Sequence, residues 1–209
     1  YIYSLLLKTE KVKMKKIINK NIAIKKLHHN AYRCRDSEVT RKFYEDFLGL
    51  PLVDAFEILV TNTGRESKVL HTFYAMKDNS YLAFFEVPDV DFEFKDQHDF
   101  DLHIALEVEK KDMLKFYSKG INKGIETRGV SDHGFIESIY LRDPNGYVIE
   151  LTSIKDPAKA TVSNPHDVLK EWIKKLNKGE IEFPKRGEFN DSSFPDTGPL
   201  LPGGPAPGP

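Results

Sequence analysis

Apolar and polar residues recur along most of the chain at two periods, and these predict a repeated order of elements. Ile24–Cys34 reads as a strand, ended by Asp36, a good helix N-cap. Val39, Phe43 and Phe47 recur every four residues and predict a helix that Gly49 closes. Three strand-like runs follow: Pro51–Val60, Lys68–Met76 and Tyr81–Val87. Turn residues separate them at Thr61–Gly64 and Asp78–Ser80. The order is β-α-β-β-β.

An acidic stretch, Pro88–Asp101, interrupts the pattern and reads as a solvated connection. The order then returns. Leu102–Val108 is a strand, and Asp112–Lys119 is a short helix ending at Gly120, with Met113, Phe116 and Tyr117 on one face. Ile125–Val130, Phe135–Leu141 and Tyr147–Ser153 are three more strands. The two units match at their starts, where Leu27-x-His29-x-Ala31 faces Asp101-x-His103-x-Ala105. Each carries a Phe-Tyr pair on its helix, Phe43-Tyr44 and Phe116-Tyr117. Near their ends Phe85-Glu86-Val87 matches Ile149-Glu150-Leu151. The chain is therefore an α+β protein built on a tandem repeat.

The expected organisation is an N-terminal extension over 1–21, a first βαβββ module over 22–88 and an acidic linker over 89–100. A second module follows over 101–156, a C-terminal helix over 157–180 and a Pro/Gly-rich flexible tail over 181–209. Tyr1–Leu7 is apolar but far too short to span a bilayer, and lacks the charge order of a signal peptide. Met14 resembles a natural start, with residues 1–13 an upstream extension. Asn164 caps and Pro165 opens a helix whose stripe is Val168, Leu169, Trp172, Ile173 and Leu176. That stripe is expected to pack on the sheets or on a second subunit. The composition after Ile181 buries too little to order itself.

Composition narrows the function classes. Of the 209 residues 40% are apolar and 30% charged, and the net charge is −1, which gives no reason to expect nucleic acid or an anionic membrane as a partner. The single cysteine, Cys34, excludes an internal disulfide and suits a reducing cytoplasm.

The chemistry gathers around one hairpin. Asp143-Pro144-Asn145-Gly146 has the residues of a tight turn. Three polar residues stand out on its flanks: His133, Tyr140 and Glu150. A carboxylate within the apolar run Val148–Leu151 is costly to bury without a partner, and a metal ion is an effective one. Side chains alternate along a strand, so His103 and Ala105 share the face away from Leu102, Ile104 and Leu106. Matching His-x-Ala to His-x-Ala selects His29 as its counterpart and leaves His28 a packed or partly exposed histidine. His29, His103 and Glu150 form a set of two imidazoles and a carboxylate. Such a set suits Fe(II) oxygenases, and equally Mn, Ni, Co or Zn.

The repeat and its motifs resemble the vicinal oxygen chelate superfamily, which includes glyoxalases, epimerases, extradiol ring-cleaving dioxygenases and antibiotic-resistance proteins. The resemblance covers residues 22–155 and rests on Leu27–Arg33, Phe43–Leu50 and Asp143–Glu150. It implies two modules forming a cupped half-barrel around one divalent metal, a small-molecule substrate, and modules paired within a chain or exchanged in a homodimer. The extradiol pattern runs from a His through an aliphatic-Tyr pair to Asp-Pro-x-Gly and a Glu. His133, Ile139-Tyr140, Asp143-Pro144, Gly146 and Glu150 fit it, with Ser131 departing from the usual residue there. It implies that His133 and Tyr140 hydrogen-bond the substrate and O2 beside Fe(II).

Glu86 decides between alternatives. As a fourth ligand it implies a glyoxalase-like lyase or an epimerase; standing back, it leaves the dioxygenase. A non-catalytic small-molecule-binding resistance protein is the third reading. Extradiol enzymes also carry an acid/base His from the end of the first module, where this chain has Glu86, with His71 on the preceding strand.

Overall fold

The structure is a computed structural model that describes residues 22–60, 63–96, 98–156 and 164–180. The expectations for 1–21 and for the tail beyond 180 fall outside these residues.

Each half folds as predicted, into a four-stranded mixed sheet carrying a helix. The first half holds β1 (His29–Cys34), α1 (Ser37–Arg41, continued by a π-helical segment, Lys42–Phe47), β2 (Leu52–Val60), β3 (Glu66–Ala75) and β4 (Tyr81–Glu86). The second holds β5 (His103–Glu107), α2 (Lys110–Asn122), β6 (Thr127–Asp132), β7 (Ile136–Arg142) and β8 (Val148–Ile154); α3 (Pro165–Asn177) follows. The strand orders are β1-β4-β3-β2 and β5-β8-β7-β6. In each sheet the first and last strands run parallel and the other neighbours antiparallel. No strand pairing joins the two sheets among the described residues, and there is no closed barrel.

Local chemistry explains most boundaries. The Asp36 side chain accepts from Val39 N at 2.8 Å and starts α1. The wider π turn, marked by Leu48 N donating to Phe43 O, brings Phe43, Tyr44, Phe47 and Leu48 all to the core. Val39, read as part of the stripe, is 36% exposed, and Thr40 is buried in its place.

The second helix runs beyond Gly120, which is not its stop. A Cβ at Gly120 would lie 2.3 Å from Thr127 Oγ1, so this glycine lets the helix lie against β6. The chain turns instead at Gly124, with φ +69°.

The helix-bearing faces of both sheets share one core. Cys34, Tyr74, Leu82 and Phe84 meet Ile139, Leu141, Ile149 and Leu151, with Phe43, Tyr44, Phe47 and Met113 between them. A buried polar joint locks the modules together. Tyr44 Oη donates to Asp143 Oδ2 at 2.9 Å, Asn145 Nδ2 to Thr40 Oγ1 at 3.2 Å, and Arg35 N to Asn145 Oδ1 at 2.9 Å. Burial holds the Asp143 carboxyl above its ordinary range, against the hydrogen bonds it accepts. Gly146 closes this turn where Lys95 backbone passes too near for any Cβ. On the opposite face of the first sheet Ile58, Val69 and Phe85 form a second, smaller cluster, and a groove of about 850 Å³ lies between the edge strands β1 and β5.

Candidate metal centre

On the open face of the second sheet, strand alternation brings together four of the residues singled out above. Ile149 and Leu151 enter the core, so Glu150 between them faces the other way, yet it is only 5% exposed. Parallel pairing places Ala105 beside Glu150 and His103 one step along. His103 Nε2 lies 3.1 Å from Glu150 Oε2. Its other nitrogen, Nδ1, donates to Asp99 O at 2.6 Å, which leaves the Nε2 lone pair free for a ligand in the neutral ring. The Asp99 carboxylate is held by Arg128 at 2.6 Å, and that guanidinium lies over the Tyr140 ring.

Tyr140 pairs with Glu150 across β7 and β8. Its Oη donates to Glu150 Oε1 at 3.5 Å and lies 3.1 Å from His133 Nε2. Burial, then the Glu150 charge, raises the Tyr140 phenol, keeping it protonated as a donor. His133 sits just past β6 and is exposed. The result is a continuous polar line from His133 through Tyr140 and Glu150 to His103.

His29 lies on the first sheet and does not join this line. Among the described residues no three His, Cys, Asp or Glu side chains are close enough to hold a metal. His29 Nδ1 is instead 2.8 Å from His28 Nδ1, and its ring packs edge-on to Phe73. Beside it on that face are His71, Phe85 and Phe56, with the His71 ring stacked on Phe85 at 3.7 Å. His71 Nδ1 donates to Phe84 O, and burial lowers its pKa, so it stays neutral.

Glu86 occupies the other face of β4. The register that sets Ala105 beside Glu150 sets Ala31 beside Ala83, so Ala83 is the counterpart of Glu150. Three residues on, Glu86 shares the helix-bearing face with Phe84, and its Oε2 accepts from Ser37 N at 2.7 Å. Asp99 was not among the predicted site residues; its backbone role leaves no signal in the sequence.

The His103–Glu150 pair suits a divalent cation. Metal–ligand bonds of roughly 2.1 Å at right angles put neighbouring donor atoms about 3 Å apart, which matches the distance between Nε2 and Oε2.

A model of the Glyoxalase/Bleomycin resistance protein/Dioxygenase superfamily matches residues 26–151. Similar solved structures include a glyoxylase/bleomycin resistance protein/dioxygenase domain from Frankia sp. EAN1pec. It is 14% identical, with 64% of this chain and 100% of that chain covered and a TM-score of 0.51. A glyoxalase/dioxygenase from Nostoc punctiforme is 20% identical, with 66% and 99% covered and a TM-score of 0.50. At these identities the likeness is one of fold. No curated protein matches the sequence.

Proposed function

Because the chain belongs to the glyoxalase/bleomycin resistance protein/dioxygenase superfamily, we propose that it is a metal-dependent dioxygenase of the extradiol type. Its substrate is an aromatic diol or a related small molecule, opened with O2. The observation that carries this reading is the polar line His133–Tyr140–Glu150–His103, with Glu86 held on the other face by Ser37. Three protein ligands, His29, His103 and Glu150, leave positions open on a metal, and Fe(II) is the ion best suited to such a set. Mn, Ni, Co and Zn share its ligand preferences.

His29 reaches the set from a second copy of the chain. Within one chain it stays apart from His103 and Glu150, while the edges of β1 and β5 are free to meet a neighbour. In such a homodimer the face with Phe56, His71, Phe73 and Phe85 forms an apolar wall opposite the ligand pair, which suits a planar aromatic ring.

The bound iron supplies a Lewis-acidic, redox-active centre for the diol and O2. The chain's residues do the rest. His103 is fixed in one tautomer by Asp99 O, and Glu150 is oriented by the Tyr140 hydroxyl. With substrate bound, Tyr140 turns its one hydroxyl proton from Glu150 to a substrate oxygen, and His133 Nε2 takes the diol proton and passes it to solvent, to which His133 is open. The buried Cys34 thiol, pushed up to about 11 by desolvation, stays out of the chemistry. A reducing cytoplasm would keep the iron ferrous. No helix among the described residues is long and apolar enough to cross a membrane.

A four-ligand lyase would require Glu86 to leave Ser37 and cross to the other face of β4. The test is oxygen uptake by protein purified without oxygen, loaded with Fe(II) and offered a panel of catechols. Iron-dependent uptake is expected. No uptake, with isomerase or lyase activity in the presence of Ni, Co or Zn, would overturn the reading.

A further inference from the structure

One long side chain ties the segment ahead of β5 to the far edge of the second sheet. Arg128 on β6, Tyr140 on β7, Glu150 on β8 and Ala105 on β5 stand in one row of the strand register. Arg128 is at the end of that row away from β5. Its guanidinium lies over the Tyr140 ring, 5.5 Å from the centroid, and Nη2 donates to Asp99 Oδ1 at 2.6 Å. Glu126 Oε1, 3.5 Å from Nε, steadies the arm on its other side.

Asp99 belongs to a turn that closes on itself. Phe100 N donates to His98 Nδ1 at 3.1 Å, and Asp101 N and Leu102 N donate to His98 O at 2.9 and 3.2 Å. These bonds shape the turn without fixing where it lies over the sheet. Asp99 supplies that fix, because its carboxylate holds Arg128 while its carbonyl accepts from His103 Nδ1 at 2.6 Å. The Asp99 side chain is 19% exposed, so its ion pair is better shielded than an ordinary surface pair. The His103 side chain is 39% exposed. Packing therefore does little to orient its ring, and the bonds at its two nitrogens do most.

We propose that Arg128 is a positioning residue for the metal ligand His103. Through the Asp99 carboxylate it holds the Asp99 carbonyl against Nδ1, and so keeps Nε2 aimed at Glu150 Oε2, 3.1 Å away. Without the guanidinium the turn is free to shift, the carbonyl leaves Nδ1, and the ring loses its fixed tautomer and direction. Outer partners of a ligating histidine commonly govern metal affinity in this way. The inference rests on the reading of His103 as a ligand. The state of its ring in metal-free protein tests the two separately.

Nitrogen–proton NMR of the metal-free full chain, labelled at histidine nitrogens, distinguishes the two ring tautomers. The parent is expected to hold His103 as the Nδ1–H tautomer. Arg128→Gln and Asp99→Ala, the latter keeping the backbone carbonyl, should each give a mixture of tautomers at His103. Titration with Co(II) should show a dissociation constant raised roughly 10- to 100-fold in each variant. The double variant should bind no more weakly than either single one, because both substitutions cut the same link. Arg128→Lys, which keeps a cation, should recover part of the affinity. Melting temperatures should stay near the parent's, since a partly exposed ion pair contributes little to global stability. An unchanged His103 tautomer in Arg128→Gln, or a double variant whose loss is the sum of the two single losses, would overturn the proposal. A parent that binds no Co(II), with tautomers that still mix in the variants, would support the Arg128 link and contradict the metal reading instead.

Discussion

His103 and Glu150 meet diagonally across the parallel β5–β8 pair, with Nε2 3.1 Å from Oε2. Asp99 O fixes the imidazole from behind and Tyr140 Oη steadies the carboxylate from the side. Neither member of the pair moves without breaking one of these bonds. The pair is thus held in the fixed arrangement that the proposed metal would need.

Glu150→Gln and Glu86→Gln separate the two carboxylates. Glu150→Gln is expected to lower the metal content of purified protein at least tenfold, by atomic absorption, the usual order for a lost ligand or its support. Glu86→Gln should leave metal content unchanged and cost only its bond to Ser37 N. Equal loss in both variants would place Glu86 on the metal.

The repeat itself made the meeting of His103 and Glu150 legible. His103 and Glu150 followed from alternation along strands whose apolar face was unmistakable. Glu86 did not follow in the same way. Phe85-Glu86-Val87 looks like Ile149-Glu150-Leu151 as text, but the parallel register aligns Glu150 with Ala83. A shift of three residues turns a side chain to the other face, and only the strand pairing reveals it. The Asp143–Gly146 turn was legible as a turn. Its role as the buried joint to Tyr44 and Thr40 was not, because those contacts bridge a hundred residues of sequence.

Tyr140→Phe and His133→Ala test the proton path. Each should lower kcat/KM by roughly two to four orders of magnitude. Metal content should stay near that of the parent protein, because neither residue is a ligand. Loss of metal in Tyr140→Phe would instead make its bond to Glu150 a matter of metal retention.

His71 predicts an acid limit to stability. Burial depresses its pKa in the folded state below the ordinary value of 6.5. The unfolded chain therefore binds the proton first as pH falls. The contribution of neutral His71 is whole above about pH 6.5 and is lost as pH drops below that toward the depressed value. Thermal melting between pH 7.5 and 5 should show a smaller fall in Tm for His71→Phe than for the parent protein.

Gly120→Ala should destabilise the chain, because its Cβ would overlap Thr127 Oγ1. A cost of about 1–3 kcal/mol is expected in urea unfolding, as for other overpacked sites. The double variant Gly120→Ala, Thr127→Ala should recover much of it, since the obstructing hydroxyl is then gone.

In the proposed dimer His29 of one chain completes the His103–Glu150 pair of the other, an arrangement that subunit complementation can reveal. His29→Ala and Glu150→Ala are prepared separately, unfolded, mixed, refolded together and loaded with Fe(II) without oxygen. Each variant alone is predicted to bind no iron at its site. A mixed dimer keeps one intact His29 opposite one intact His103–Glu150 pair, so iron should return at one per mixed dimer, together with oxygen uptake on a catechol. Iron content no higher in the mixture than in either variant alone would contradict the shared site.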